Sequence, residues 1–125
     1  MSQPTSPRRW YRHPLMSLLA VCAVAGLAAT GVRAWVQQQR ADDLRAVTHA
    51  GDIRMISQTT CIYCTQAREW LTRHEIPFEE CYIDRDSECL AEYNRQGRNG
   101  TPMMMVRGQM QRGFDARRIT AQLGG

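Results

Sequence analysis

The sequence predicts an α/β domain built on a four-stranded mixed sheet, in the order β-α-β-α-β-β-α, preceded by an N-terminal hydrophobic helix. Three observations carry this. An apolar run from Leu15 to Val32 stands apart from a polar remainder. Behind it, short β-favouring stretches alternate with segments whose apolar residues recur at helical spacing. A Cys-x-x-Cys, Cys61-Ile62-Tyr63-Cys64, then falls where the first strand hands over to the first of those helices.

The apolar run holds 18 residues without a charged side chain, close to the shortest helix that crosses a hydrocarbon core of about 30 Å. Residues 1–14 form a basic tail with Arg8, Arg9 and Arg12 and no acid. Residues 15–36 read as a transmembrane anchor or signal segment. The polar stretch 37–50 reads as a helical stalk or linker, and 51–125 as the globular domain. Positive charge before the run is expected to stay cytoplasmic. The chain is therefore expected in the inner membrane as a single-pass protein with its domain in the periplasm, Trp35 serving as an interface anchor. The alternative is a cleaved signal peptide, with Val32-Arg33-Ala34 as the small-residue site, which secretes the domain into the same compartment.

Charge argues against nucleic acid. All 12 acidic residues lie beyond Arg40, whereas five of the 16 basic ones lie at or before it, leaving the remainder slightly acidic. The basic balance belongs to the membrane-flanking segment and not to the domain.

Within the domain, Asp52–Ser57 fits a buried strand around Ile53 and Ile56. Gln58-Thr59-Thr60 is a polar turn, and from Cys64 to Glu75 the residues Ala67, Trp70, Leu71 and His74 share a helical face that Pro77 closes. Phe78–Ile83 reads as a second strand. Asp84, Asp86 and Ser87 offer caps for another helix with Leu90, Ala91 and Tyr93 inward and Gly97 as its stop. Pro102 opens a strand over Met103–Val106, Arg107-Gly108 turns it back through Gln109–Arg112, Gly113 breaks the hairpin and Asp115 caps a last helix. Strand-helix-strand followed by hairpin-helix is the order of the thioredoxin fold.

Disulfide exchange needs a thiolate nucleophile and a second thiol placed to displace it. Cys61 at a helix N-terminus faces free N–H groups and the positive end of the helix dipole, which favour the thiolate. Cys64, one turn on, is more shielded and suits the resolving role. Zinc is the competing use of four cysteines, but Cys81 and Cys89 are too far apart in sequence to form the usual second pair of ligands; no metal is expected. Cys22, inside the apolar run, reads as a small apolar residue, and the Met103-Met104-Met105 run as core strand.

Three landmarks, Thr59-Thr60-Cys61-Ile62-Tyr63-Cys64, then Thr101-Pro102, then Gly113-Phe114-Asp115, resemble the glutaredoxin family in order and spacing over roughly residues 52–123. The resemblance implies a three-layer, glutaredoxin-type thioredoxin fold and a thiol–disulfide oxidoreductase with Cys61 as attacking thiol and Cys64 as its partner. It implies a cis Thr101–Pro102 bond that lets the Thr101 backbone pair with substrate. Tyr63, Thr101, Pro102, Gly113 and Asp115 would line the substrate or glutathione site, with Asp115 receiving the amino group of glutathione. No cofactor is required, and glutathione is a co-substrate candidate. The expected partners are proteins carrying disulfides, a thiol reductant or glutathione, and the membrane. Departures are instructive: Gln58 stands where the family often has Lys, Ile62 where it usually has Pro, and Arg112-Gly113 where it has a Gly pair. Arg112 is a candidate replacement for the missing Lys.

Cys81 and Cys89 are candidates for a structural disulfide, with two separate thiols as the alternative. The leading reading is an enzyme acting on protein disulfides or glutathione mixed disulfides at the membrane surface. The competing readings are an iron–sulfur-binding module using Cys61 of two chains, and a non-catalytic membrane assembly factor.

Overall fold

The computed structural model describes residues 12–125, which divide into two compact units at the boundary between Gln37 and Gln38. Arg8, Arg9 and the start of the basic tail lie outside the described residues. The first unit is the greater part of α1 (Arg12–Val47). Its apolar side chains face outward, Leu15 at 65% and Leu27 at 74% exposure, as a lone helix long and apolar enough to cross a membrane must have them. The same pattern fits a signal sequence.

The second unit contains β1 (Ile53–Ser57), α2 (Ile62–Arg73), β2 (Glu79–Tyr82), α3 (Ser87–Arg95), β3 (Met103–Val106), β4 (Gln109–Arg112) and α4 (Ala116–Gly124). The sheet order is β2-β1-β3-β4, with β1 and β2 parallel and the other pairs antiparallel. Alternation along the strands divides the core. Ile53, Met55, Met104 and Val106 pack with Ala67 and Leu71 of α2 and Ile119 and Leu123 of α4 on one face. Ile56, Met103 and Met105 pack with Cys81, Cys89 and Tyr93 on the other. The three methionines in a row are thus split between two cores by the two-residue period of a strand. The result is the expected three-layer thioredoxin-like fold.

Three expectations are corrected. Residues 37–50 are not a separate polar stalk: α1 runs on to Val47, and Ala41 and Leu44 are fully buried, Leu44 within the core that α2 and α4 share. Ala41, Leu44 and the half-buried Val47 are the apolar residues that face inward in this stretch, too few for its composition to betray a buried face. The globular unit therefore begins at Gln38 and not at residue 51. Arg45 strengthens the attachment by donating twice to the His74 carbonyl, at 2.6 and 3.0 Å, where α2 ends.

Second, Leu90 and Ala91 are exposed; α3 buries Tyr93 as expected, and with it Cys89. The spacing of four residues puts those two on one face. Third, α2 begins at Ile62 and is already finished at Arg73, with Glu75 in the left-handed region at φ 55°, before Pro77 is reached. The β3–β4 turn uses Arg107 at φ 46° and Gly108 at φ 80°, positive at both central positions as a tight two-residue hairpin requires. Arg107 is compensated there by donating to the Asp52 carboxylate at 3.0 Å.

Candidate functional site

The loop after β1 delivers Cys61 as the N-cap residue of α2, in extended conformation at φ −86° and ψ 108°. Its sulfur accepts a hydrogen bond from the Cys64 backbone N–H at 3.1 Å. A sulfur in place of the usual Ser or Asp oxygen thus satisfies one of the orphan donors of the helix end. Cys61 and Cys64 form a disulfide with 5.3 Å between Cα atoms. Cys64 is fully buried and Cys61 half-buried, so the two sulfurs differ in access. The loop is held from behind. The Thr59 N–H and hydroxyl both donate to Asp84, and that bonding to Thr59 keeps the Asp84 carboxyl below its usual range.

Beside the dithiol lies a groove of about 460 Å³ lined by Tyr63, Trp70, Thr101, Pro102, Gly113 and Phe114, with Gln66 and Ala67. The Thr101–Pro102 bond is cis, and the Gly113 N–H donates to the Pro102 carbonyl at 2.9 Å. That bond ties the start of β3 to the end of β4 at the groove. Gly113 has φ 66°, a conformation glycine adopts without the Cβ penalty. Trp70 and Phe114 pack with ring centroids 5.1 Å apart, and Ile62 and Tyr63 are 62% and 68% exposed. The opening around the sulfurs is therefore predominantly apolar.

Asp115 caps α4, accepting from the N–H groups of Arg117 and Arg118. The Arg118 guanidinium reaches the same carboxylate at 3.3 Å. Partial burial opposes its ionisation, but the bonds from Arg118 and Arg117 outweigh it and hold the carboxyl below the usual range. Arg112 donates to Asn99 at 2.6 Å, and Gln58 is exposed. Cys81 and Cys89 are joined by a disulfide on the opposite face of the sheet, within the core that contains Ile56 and Tyr93. Among the described residues, no group of three or more His, Cys, Asp or Glu side chains converges as a metal site.

Thus Tyr63, Thr101, Pro102 and Gly113 are brought together on one groove next to Cys61 and Cys64, whereas Asp115 is occupied by its own helix and Arg118. Sequence reasoning missed Trp70 and Phe114 as lining residues. Trp70 lies on the helical face that also carries Ala67, so its position reads as core, and only the meeting of α2 with the β4–α4 connection leaves it half open. It also missed the cluster of Arg68, Glu80 and Ser57. The Glu80 carboxylate accepts from the Ser57 hydroxyl at 2.6 Å and from two nitrogens of Arg68 at 2.7 and 2.8 Å. Burial resists the Glu80 charge, but Arg68 and Ser57 overcome it and its carboxyl lies below the usual range.

Residues 53–111 match the family model described as glutaredoxin. The glutaredoxin-like protein NrdH of Lactococcus lactis subsp. lactis is 29% identical over 52 residues, covering 42% of this chain and 72% of that protein. Its counterpart in Lactococcus lactis subsp. cremoris matches to the same extent. Among solved structures, the thioredoxin-like protein BC3987, in a point-mutant form, superposes with a TM-score of 0.51 at 22% identity, over 58% of this chain and 94% of that one. The glutaredoxin from Methanosarcina mazei Go1 gives 0.50 at 24% identity, over 60% and 80%. These two similarities concern the fold.

Proposed function

Since the chain carries a glutaredoxin-family domain and is on that ground a thiol–disulfide oxidoreductase, we propose that Cys61 and Cys64 are its redox pair and that protein disulfides at the membrane surface are its main substrates. The observation that carries this reading is the capping of α2 by the Cys61 sulfur, with the Cys64 N–H pointing at it. In the reduced protein the same N–H and the helix dipole stabilise a Cys61 thiolate.

The reaction then runs in two displacements. The Cys61 thiolate attacks one sulfur of a substrate disulfide. A new S–S bond forms, the substrate bond breaks, and the departing sulfur leaves as a thiolate that takes a proton from water. Cys64, giving up its proton to water, attacks the Cys61 sulfur; the bond from Cys61 to the substrate breaks, and the second substrate sulfur leaves as a thiolate that also takes a proton from water. Two electrons and two protons have passed to the substrate, and the dithiol is left as the disulfide seen here. A thiol reductant reverses the change by the same chemistry.

Glutathione mixed disulfides are the secondary substrate class. What favours proteins over glutathione is the apolar opening, with Ile62 and Tyr63 exposed and the Trp70–Phe114 pair beside them. The Arg118 guanidinium on Asp115 and the neutral Gln58 point the same way, since both reduce the charge available to a small zwitterionic peptide. The test is to assay the reduced full chain in detergent on a protein disulfide and on a glutathione mixed disulfide. The protein substrate should give the higher kcat/KM, and Cys61→Ser should abolish both reactions. A Cys61→Ser variant as active as the parent would overturn the assignment.

We place the domain in the periplasm, held by α1. The arginines before the apolar run support that orientation. So does the Cys81–Cys89 bond, because disulfides persist in oxidising compartments. A reporter active only in the periplasm, fused after Gly125, should be active; activity confined to a cytoplasmic reporter would reverse the topology.

A further inference from the structure

The Arg68–Glu80–Ser57 cluster has no part in the exchange reaction as written, yet the fold sets it beneath the dithiol. Arg68 follows Cys64 by four residues on α2, so the two share a helix face with about 5–6 Å between Cβ atoms. Cys64 is fully buried on that face, and Ser57, also fully buried, ends the strand whose loop delivers Cys61. Glu80 is the register partner of Met55 on the neighbouring strand. Moving four residues along a helix covers about 6 Å, nearly two residues of strand. Arg68 therefore sits two strand positions below the level of Cys64, where Glu80 meets it with 12% of its side chain exposed.

We propose that Arg68 and Glu80 are positioning residues for the dithiol, the guanidinium supplying positive potential to the sulfurs one turn away and the carboxylate limiting how much of it they receive. The inference rests on the assignment of Cys61 and Cys64 as the redox pair. With both charges present the pair is nearly neutral toward the sulfurs. Removing the carboxylate leaves a cation one turn from Cys64, which favours thiolate. Removing the guanidinium leaves an anion there, which disfavours it. The other charged or titratable groups around the cluster are fixed features. Tyr82 on β2 has the Arg68 guanidinium over its ring at 5.7 Å and that of Arg85 at 5.4 Å. Glu69 acts on Arg68 from α2 itself, and Asp84 lies behind the Cys61 loop. On the groove side stands Tyr63 of α2, and the Asp115–Arg118 pair lies at the start of α4.

The experiment reads thiol acidity, not turnover. The full chain is reduced, and the rate of alkylation by iodoacetamide is followed against pH. Glu80→Gln should lower the apparent pKa of the dithiol and Arg68→Gln should raise it, each by about one unit. The double variant, with both charges removed, should return to within a few tenths of the parent. A purely structural salt bridge would give shifts of one sign, or none, and no return in the double variant; any of these overturns the proposal. Where a single variant fails to fold, the exchanged pair (Arg68→Glu with Glu80→Arg) keeps a partnered ion and puts the anion on the helix of the dithiol. It should raise the pKa, and an unchanged or lowered value overturns the proposal equally. An inactive parent on disulfide substrates would instead remove the functional assignment, which this titration does not test.

Discussion

The Cys64 backbone N–H donates to the Cys61 sulfur across 3.1 Å, so the first thiol of the pair caps the helix that carries the second. On the proposed assignment, the half-buried Cys61 sulfur is the one this N–H would stabilise as an anion once reduced, and the fully buried Cys64 sulfur is the one that resolves. In the reduced chain, Cys61 should therefore alkylate with a midpoint below the free-thiol value of about 8.5. Cys61→Ser should leave no fast-reacting thiol in the domain. Cys64→Ser should accumulate a mixed disulfide visible by mass spectrometry under non-reducing conditions. Equal alkylation rates for both single variants would remove the distinction between the two roles.

The Arg118 guanidinium donates to the Asp115 carboxylate, which already caps α4, and on the proposed reading it competes there with the ammonium group of glutathione. Arg118→Ala should lower KM for a glutathione mixed disulfide by about twofold to fivefold, the size of an exposed ion pair. It should leave the protein-disulfide reaction within error of the parent. An unchanged KM for the glutathione substrate would mean that Asp115 takes no part in binding it.

Leu44 is fully buried among the residues that α2 and α4 contribute to the core. Leu44→Ala should cost about 2–5 kcal/mol of stability, measured by denaturant unfolding followed at the tryptophans. Leu90→Ala, at a site 39% exposed, should change stability by no more than about 0.5 kcal/mol. Comparable effects at both sites would return residues 37–50 to the status of a stalk.

Asp52 is held at a pKa of about 2, by Arg107 first and by the His49 N–H second. A depressed carboxylate contributes stability that is complete above its unfolded value of about 3.9. That contribution is lost as pH falls through the folded value. Unfolding free energy should thus decline between about pH 4 and pH 2, and Asp52→Asn should flatten that part of the profile while lowering stability at pH 7. A steeper acid limb in Asp52→Asn would contradict the assignment.

Cys81 and Cys89 close a short loop between β2 and the first turn of α3. Replacing both with Ser should destabilise the domain by about 2–3 kcal/mol through the greater freedom of the unfolded chain. The Cys61–Cys64 exchange reaction should survive at temperatures where the variant is folded. Loss of exchange in a folded Cys81→Ser, Cys89→Ser variant would show that this second disulfide takes part in the chemistry.

The local signals determined much of this protein. A Cys-x-x-Cys behind a strand, a Pro opening β3, Asp residues at helix starts and Gly113 after the hairpin each act over a few residues. Their effects could be read without knowing what lies across the sheet. Backbone geometry and capping are short-range, and so the order of elements, the three-layer fold and the dithiol were legible. Tertiary structure decided what depends on residues far apart in the chain. Whether Leu44 is stalk or core turns on α2 and α4 closing over it. Whether Asp115 is free turns on the direction taken by Arg118. That Trp70 meets Phe114 on a groove, and that Arg68 reaches Glu80 below the dithiol, follows from the packing of α2 on the sheet. A side chain's partner across a layer is set by the crossing of elements that share no local pattern, and composition carries no record of it.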